Sequence, residues 1–229
     1  MHLYIGNKNY SSWSLRAWLL LRAFDLEFEE TLIPLDEEDT AARIHLVSEA
    51  GKVPVLVDRG QTIWDSLAIA EYVHELFPDT GIWPADAQAR AHARSSSAEM
   101  HSSFVGLRGA CPMNLAKRFA RKDRGADVAA DVTRIQDLWI EARDRFGSSS
   151  GDPFLYGAFS AADAMYAPVV TRFETYNIEV RQESRAYMDA ILNHPAFDEW
   201  RNAGLQEAWI IDQDEVDEVA IENLRTPLR

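Results

Sequence analysis

The sequence predicts a small α/β unit followed by an all-helical unit. Three observations carry this. Strand and helix signals alternate through the first third of the chain. A short stretch holding Pro78, Gly81 and Pro84 then interrupts the pattern. Beyond it, strand signals almost vanish and long helical patterns take over. The expected boundaries are 1–78 for the first unit, 79–86 for a linker and 87–229 for the helical unit.

Each element has a local reason. Leu3-Tyr4-Ile5 is a short apolar run that reads as a buried strand. Residues 13–24 have the leucine content of a helix and are apolar on more than one face, so the helix is expected to be covered on both sides. Residues 27–33 read as a second strand ending at Pro34. The acidic stretch 36–39 then leads into a short helix or irregular turn through Leu46. Residues 51–58 read as a third strand with Pro54 near its start, where a missing donor is tolerated. Arg59-Gly60 makes a tight turn into residues 61–64, which gives a hairpin. Asp65-Ser66 opens a helix whose Leu67, Ala70, Val73 and Phe77 share one apolar face, and Pro78 stops it. Ile82-Trp83, inside the linker, is expected to plug a hydrophobic hole between the units. Helical patterns follow over 87–108, 126–146, 161–176, 184–192 and 196–203. Residues 147–152 read as a flexible loop, and residues 212–222 as an acidic solvated tail or helix.

Composition excludes several classes of function. The 229 residues can bury a large core. With 23 Lys and Arg against 37 Asp and Glu, the net charge of -14 argues against nucleic acid and against an anionic membrane surface. No uncharged apolar run is long enough to span a bilayer. The N-terminus reads directly into a strand, with no signal-peptide layout. Cys111 is the single cysteine, so no internal disulfide can form and a cytoplasmic setting is the expectation. The histidines make no recognisable ligand set, and no metal is expected.

The chemistry is expected at residues 9–16, where a strand ends and a helix begins. Such a junction offers unpaired N–H groups and the positive end of a helix dipole. A hydroxyl there either caps the helix or holds an anion. Four local features at this site and beyond carry a resemblance. They are Ser11-Ser12-Trp13-Ser14-Leu15-Arg16 after the first strand, Val53-Pro54 at the third strand, Asp65-Ser66 at the helix after the hairpin, and Phe159-Ser160-Ala161-Ala162-Asp163 in the helical unit. In this order and spacing they resemble the glutathione transferase superfamily, over essentially the whole chain. The serine motif is similar to the zeta and tau types. It departs from zeta at Trp13, where a cysteine is typical. The resemblance implies an N-terminal thioredoxin-like domain followed by a C-terminal helical bundle domain.

It also implies roles. Glutathione would be the co-substrate and a small electrophile its partner. A free thiol has a pKa near ~8.5, and a donor aimed at sulfur lowers it. The resemblance puts that donor at Ser11, with Ser12 as its close second and Ser14 as a helix cap. In relatives the proline is cis, which exposes the backbone of the preceding residue, here Val53, to the cysteinyl part of glutathione; Pro54 is expected to be cis. Ser66 and Asp65 would take the γ-glutamyl carboxylate and amine, and Lys52 the glycyl carboxylate. Trp13, Phe104 and Arg108 would line the second-substrate pocket, together with Met113 and Asn114; Arg108 would either bind an anionic co-substrate or bridge the domains. Arg16 is expected to be structural. Ser160 and Asp163 have the i, i+3 spacing of a reciprocal helix cap and read as folding residues. A homodimer is implied. The activity implied is glutathione transfer; glutathione-dependent isomerisation of the maleylacetoacetate type, or ligand binding without catalysis, is the alternative on the same fold.

Overall fold

The computed structural model describes residues 1–148 and 150–225. Its first unit is a four-stranded sheet in the order β2-β1-β3-β4, formed by β1 (His2–Ile5), β2 (Glu29–Leu32), β3 (Val55–Asp58) and β4 (Gln61–Trp64). β1 runs parallel to β2 and antiparallel to β3, and β3 and β4 are antiparallel. The β3–β4 turn has both Arg59 and Gly60 at positive φ, 48° and 77°. This is the backbone twist a two-residue hairpin requires. Helices α1 (Ser12–Ala23) and α3 (Ser66–Leu76) pack on the sheet, and the short α2 (Thr40–His45) follows the acidic stretch. This is the thioredoxin-like arrangement, and a helical region follows it.

That region holds α4 (Ala87–Ser102), α5 (Val105–Ala110), α6 (Ala126–Ala142), α7 (Ala161–Thr175), α8 (Gln182–Leu192) and α9 (Pro195–Leu205). α7 is buried along nearly its full length. Trp139 of α6 lies 5.8, 5.5 and 4.8 Å from the rings of Tyr166, Phe173 and Tyr187. Such aromatic pairs add to what their buried area already contributes. Ile82 and Trp83 are buried, and the Ile82 carbonyl accepts from Ala161 N–H at 2.8 Å, at the head of α7.

Four expectations need correction. The helix expected over 87–108 is two helices. Phe104 sits between them at φ 59°, a left-handed conformation uncommon for a bulky residue, and its side chain is buried in the core. The third strand begins at Val55, so the Val53-Pro54 segment precedes it. The helix expected to reach 146 ends at Ala142 and continues as a π-helical turn, Arg143–Gly147. Of the loop expected over 147–152, Ser149 lies outside the described residues.

The fourth correction concerns the tail, which stays largely exposed but is neither free nor a continuous helix. A 3-10 turn at Asp212–Asp214 leads to β6 (Ala220–Asn223), which pairs antiparallel with β5 (Lys117–Phe119). The acidic residues meet a basic stretch. Glu215 accepts from Lys117 at 2.6 Å, and Glu218 faces Arg124 and Lys122, each at 2.9 Å. Charge that suggested solvation in the sequence is matched by charge one hundred residues away.

The head of α7 is capped as expected. The Asp163 carboxylate accepts from Ser160 N–H at 2.8 Å, the Ser160 hydroxyl at 2.9 Å and Leu155 N–H at 3.1 Å. Asp163 is fully buried, and burial pushes its carboxyl up from 3.8 to about 6. A carboxyl raised in the folded state favours folding below its unfolded pKa, and that contribution is lost as pH rises through the folded value. Wild type should therefore lose about 2 kcal/mol relative to Asp163→Asn between pH 4.5 and 7, measured by urea unfolding. Ser160→Ala should lower stability by about 1 kcal/mol. Parallel pH profiles for wild type and Asp163→Asn would contradict the assignment.

Candidate functional site

A cavity of about 630 Å³ opens beside the N-terminal ends of α1 and α3. Ser11 and Trp13 enter it from the β1–α1 junction. Lys52, Val53 and Pro54 come from the segment before β3, and Trp64, Asp65 and Ser66 from the β4–α3 connection. Arg108 of α5 and Gln213 of the 3-10 turn close it from the helical side. Eight of the twelve site residues expected from the sequence thus line one cavity; Ser12, Phe104, Met113 and Asn114 do not.

Ser11 caps the helix and also faces the cavity. As the N-cap of α1 it accepts from Ser14 N–H at 3.3 Å. Its hydroxyl donates to Ser14 Oγ at 2.8 Å, and Ser14 Oγ accepts from Gly6 N–H at 3.0 Å. Ser14 is therefore not the cap but a brace between β1 and Ser11. Ser12 turns away from the cavity, and its hydroxyl accepts from Arg172 Nη2 at 3.3 Å. Phe104 is core, as is Met113. Asn114 is buried as well, donating to Glu215 at 3.1 Å. None of these three lines the cavity.

The Val53–Pro54 bond is cis. Asp65 is the N-cap of α3 at φ 74°, accepting from Leu67 N–H at 2.9 Å, while its second oxygen lies 3.3 Å from His101 Nε2. Ser66 is only 1% exposed, and its hydroxyl has no hydrogen-bond partner among the described residues. A buried hydroxyl without a partner costs about 1–3 kcal/mol. It stands at a helix N-terminus, where backbone N–H groups and the helix dipole favour an anion.

The model of the glutathione S-transferase N-terminal domain matches residues 10–76. A probable maleylacetoacetate isomerase of Caenorhabditis elegans is 38% identical over 105 residues, which is 46% of this chain and 48% of that protein. The chain therefore matches about half the length of that relative. A maleylacetoacetate isomerase of Pseudomonas aeruginosa is 24% identical over 86% of this chain and 93% of its own length. A Burkholderia glutathione transferase homolog, solved with bound glutathione, shares the fold with a TM-score of 0.65 at 22% identity, covering 89% of this chain and 96% of that one.

Residues 10–76 thus match a glutathione S-transferase N-terminal domain, and the chain as a whole shares the fold of the glutathione transferases. Three arginines of this chain lie near one another, two of them against Trp13. The guanidinium of Arg16 lies 4.3 Å from the Trp13 ring centre and that of Arg108 lies 5.0 Å from it. Burial and the nearby charges of Arg172 and Arg108 push the Arg16 guanidinium down to about 9. Arg172, fully buried beside Arg108, is pushed down to about 10. Arg172 spends its donors on Cys111 O at 2.9 Å, Pro168 O at 3.0 Å and Ser12.

A second feature of this chain escaped the sequence. The loop that presents Ser11 is strapped to the C-terminal region. The Glu207 carboxylate accepts from Lys8 N–H at 2.6 Å and Asn9 N–H at 3.1 Å. Trp200 Nε1 donates to Lys8 O at 2.9 Å. Tyr10 donates to Glu215 at 2.6 Å and accepts from Arg225 at 2.8 Å. Gly204 lets α9 approach, since a Cβ there would sit 3.1 Å from Asn9 N. No local sequence pattern marks this strap, because Lys8, Asn9 and Tyr10 meet partners 192 to 215 residues away.

Glu207→Ala leaves two backbone donors without their acceptor. It should destabilise the protein by about 1–3 kcal/mol in urea unfolding. Hydrogen exchange at the Lys8 and Asn9 amides should quicken while β3 keeps its protection. Unchanged exchange at those two amides would contradict the strap.

Proposed function

We propose that this chain is a glutathione transferase that binds glutathione in this cavity, with the thiol at Ser11. The observation that carries the reading is Ser66, a buried hydroxyl without a partner in the same cavity as Ser11. It fits one oxygen of the γ-glutamyl carboxylate, with the α3 dipole behind it. Asp65, already beside His101, accepts from the amine. The Val53 backbone pairs with the cysteinyl part and Lys52 takes the glycyl carboxylate. The glutathione bound to the Burkholderia homolog supports the same choice of ligand.

Ser11 then donates to sulfur. A hydrogen bond to a charged group contributes about 1.5–3 kcal/mol, enough to lower the thiol pKa by roughly one to two units. The thiol proton leaves to solvent. The thiolate attacks an electrophilic carbon held near Trp13 and Arg108; as the carbon–sulfur bond forms, the bond to the leaving group breaks and that group departs to solvent with its electron pair. A homodimer and a cytoplasmic setting complete the proposal. Among the described residues, no helix is long and apolar enough to cross a membrane, and no group of residues could hold a metal ion.

A second reading has its own support, because the relatives named above are maleylacetoacetate isomerases. There the thiolate adds to a double bond, the resulting single bond rotates, and elimination returns glutathione. Glutathione is consumed in transfer and regenerated in isomerisation, so its stoichiometry with maleylacetoacetate separates the two. Trp13, in place of the cysteine typical of the zeta motif, weighs toward transfer.

Ser11→Ala should cut kcat/KM with a general electrophile by roughly 10- to 100-fold and raise the bound thiol pKa in ultraviolet titration, while glutathione still binds in calorimetry. Ser12→Ala should leave the thiol pKa in place and lower stability through Arg172. A thiol pKa that moves with Ser12 and not with Ser11 would reverse the assignment. Ser66→Ala should weaken glutathione binding by about tenfold.

A further inference from the structure

We infer that the electrophile taken at the Trp13–Arg108 wall carries a compact anionic group, a carboxylate or sulfonate, and that Arg108 recognises it. This rests on the glutathione reading above and names the substrate class of the same site.

The first observation is charge without partners. No carboxylate of the described residues lies within 4 Å of Arg16, Arg108 or Arg172, although the chain carries a net charge of -14 and most of its other arginines are ion-paired. Arg16 is 2% exposed, and its Nε and Nη1 have no hydrogen-bond partner. Arg108 is half-buried in the cavity wall, held by two long bonds from Nη1 to the carbonyls of His101 and Ser103, 3.4 Å each.

The second is how these charges act on each other. Arg108 and Arg172 both depress Arg16, and Arg108 depresses Arg172. The acids that face the group are Asp65, Asp36 and Asp214. Asp65 caps α3 and faces His101. Asp36 lines the cavity, and Asp214 lies near Arg172 with its carboxyl pushed up by burial. None of the three closes an ion pair with an arginine.

The third is what glutathione leaves over. Its carboxylates are met by Ser66 and Lys52, so Arg108 stays uncommitted. A neutral apolar electrophile would cover this guanidinium and strip its water without supplying an acceptor, which is costly. A carboxylate or sulfonate accepts from the guanidinium fork in the plane that the fork prefers. Trp13 offers the adjoining apolar surface for the carbon skeleton. Arg16, beneath that ring, adds field without needing contact.

The test uses the full chain and a pair of conjugates, S-benzylglutathione and S-(4-carboxybenzyl)glutathione, with binding read by calorimetry. Wild type should bind the carboxylate form tighter by roughly 10- to 100-fold. Arg108→Gln should erase that preference, and Arg108→Lys should keep part of it. Equal binding of the two conjugates by wild type, with glutathione itself bound, overturns the inference and leaves the glutathione reading standing. Failure to bind any of the three overturns both. A second arm separates the electrophile from the thiolate as the anion that Arg108 serves. If Arg108→Gln raises the bound thiol pKa and weakens both conjugates alike, the arginine acts on sulfur and the inference falls. A thiol pKa that stays while the preference disappears supports it.

Discussion

The cavity depends on the burial of α1 from every side. Leu15 and residues 17–21 are all buried, with the sheet on one flank and α7 and α9 on others. A helix covered on one side can rotate at modest cost. One covered all round cannot, because each residue of slip turns the helix by about 100° and would drive Arg22 or Ser14 into the leucine contacts. The orientation that buries the leucines is therefore the orientation that puts Ser11 and Trp13 in the cavity wall. It also obliges Arg16, in the middle of the same helix, to sit without water. The unpaired guanidinium is a consequence of the packing that fixes the serine.

The other end of the constraint lies in the tail. The loop of Lys8, Asn9 and Tyr10 has no regular structure to satisfy its backbone donors, and buried donors must be satisfied. Glu207 does this from 199 residues away, and Glu215 fixes Tyr10. Glu207 is itself pushed up by burial and drawn back by those two amides. The helical region thus sets the loop before Ser11 while contributing Arg108 and Gln213 to the opposite wall. A change in the tail reaches both the Ser11 wall and the Arg108 wall of the cavity.

What could be read from the chain was what neighbours in sequence decide. Arg59-Gly60 names its hairpin because the turn needs two residues at positive φ. Ser160 and Asp163 name their cap because the partners are three residues apart, and Asp65-Ser66 mark a helix start in the same way. The serine motif located the site but not its division of labour. Ser11 and Ser12 are chemically alike and adjacent; only Arg172, 160 residues on, draws Ser12 away. The break at Phe104 is not written in propensity, since burying that ring in the core outweighs its positive φ. β5 and β6 are too short and too charged to show alternation, and their pairing is visible only once Glu215 and Glu218 are set against Lys117, Lys122 and Arg124.

On the proposed reading, in which Ser11 faces the thiol, its pairing with Ser14 lets a weak acid suffice there. Ser14 Oγ accepts from Gly6 N–H and from the Ser11 hydroxyl, so its own proton is not committed to either of them. When Ser11 turns its proton toward an anion in the cavity, Ser14 can donate back to Ser11 Oγ. Neither oxygen loses a bond, and the backbone does not move. A lone serine at the same place would have to give up one partner to gain the other. Direction is thus supplied by a neutral, reversible hydroxyl pair, and charge by arginines that never deprotonate at neutral pH. Because the two are separate groups, loss of the hydroxyl and loss of the charge should act on different steps: the first on the thiol, the second on what the thiol attacks.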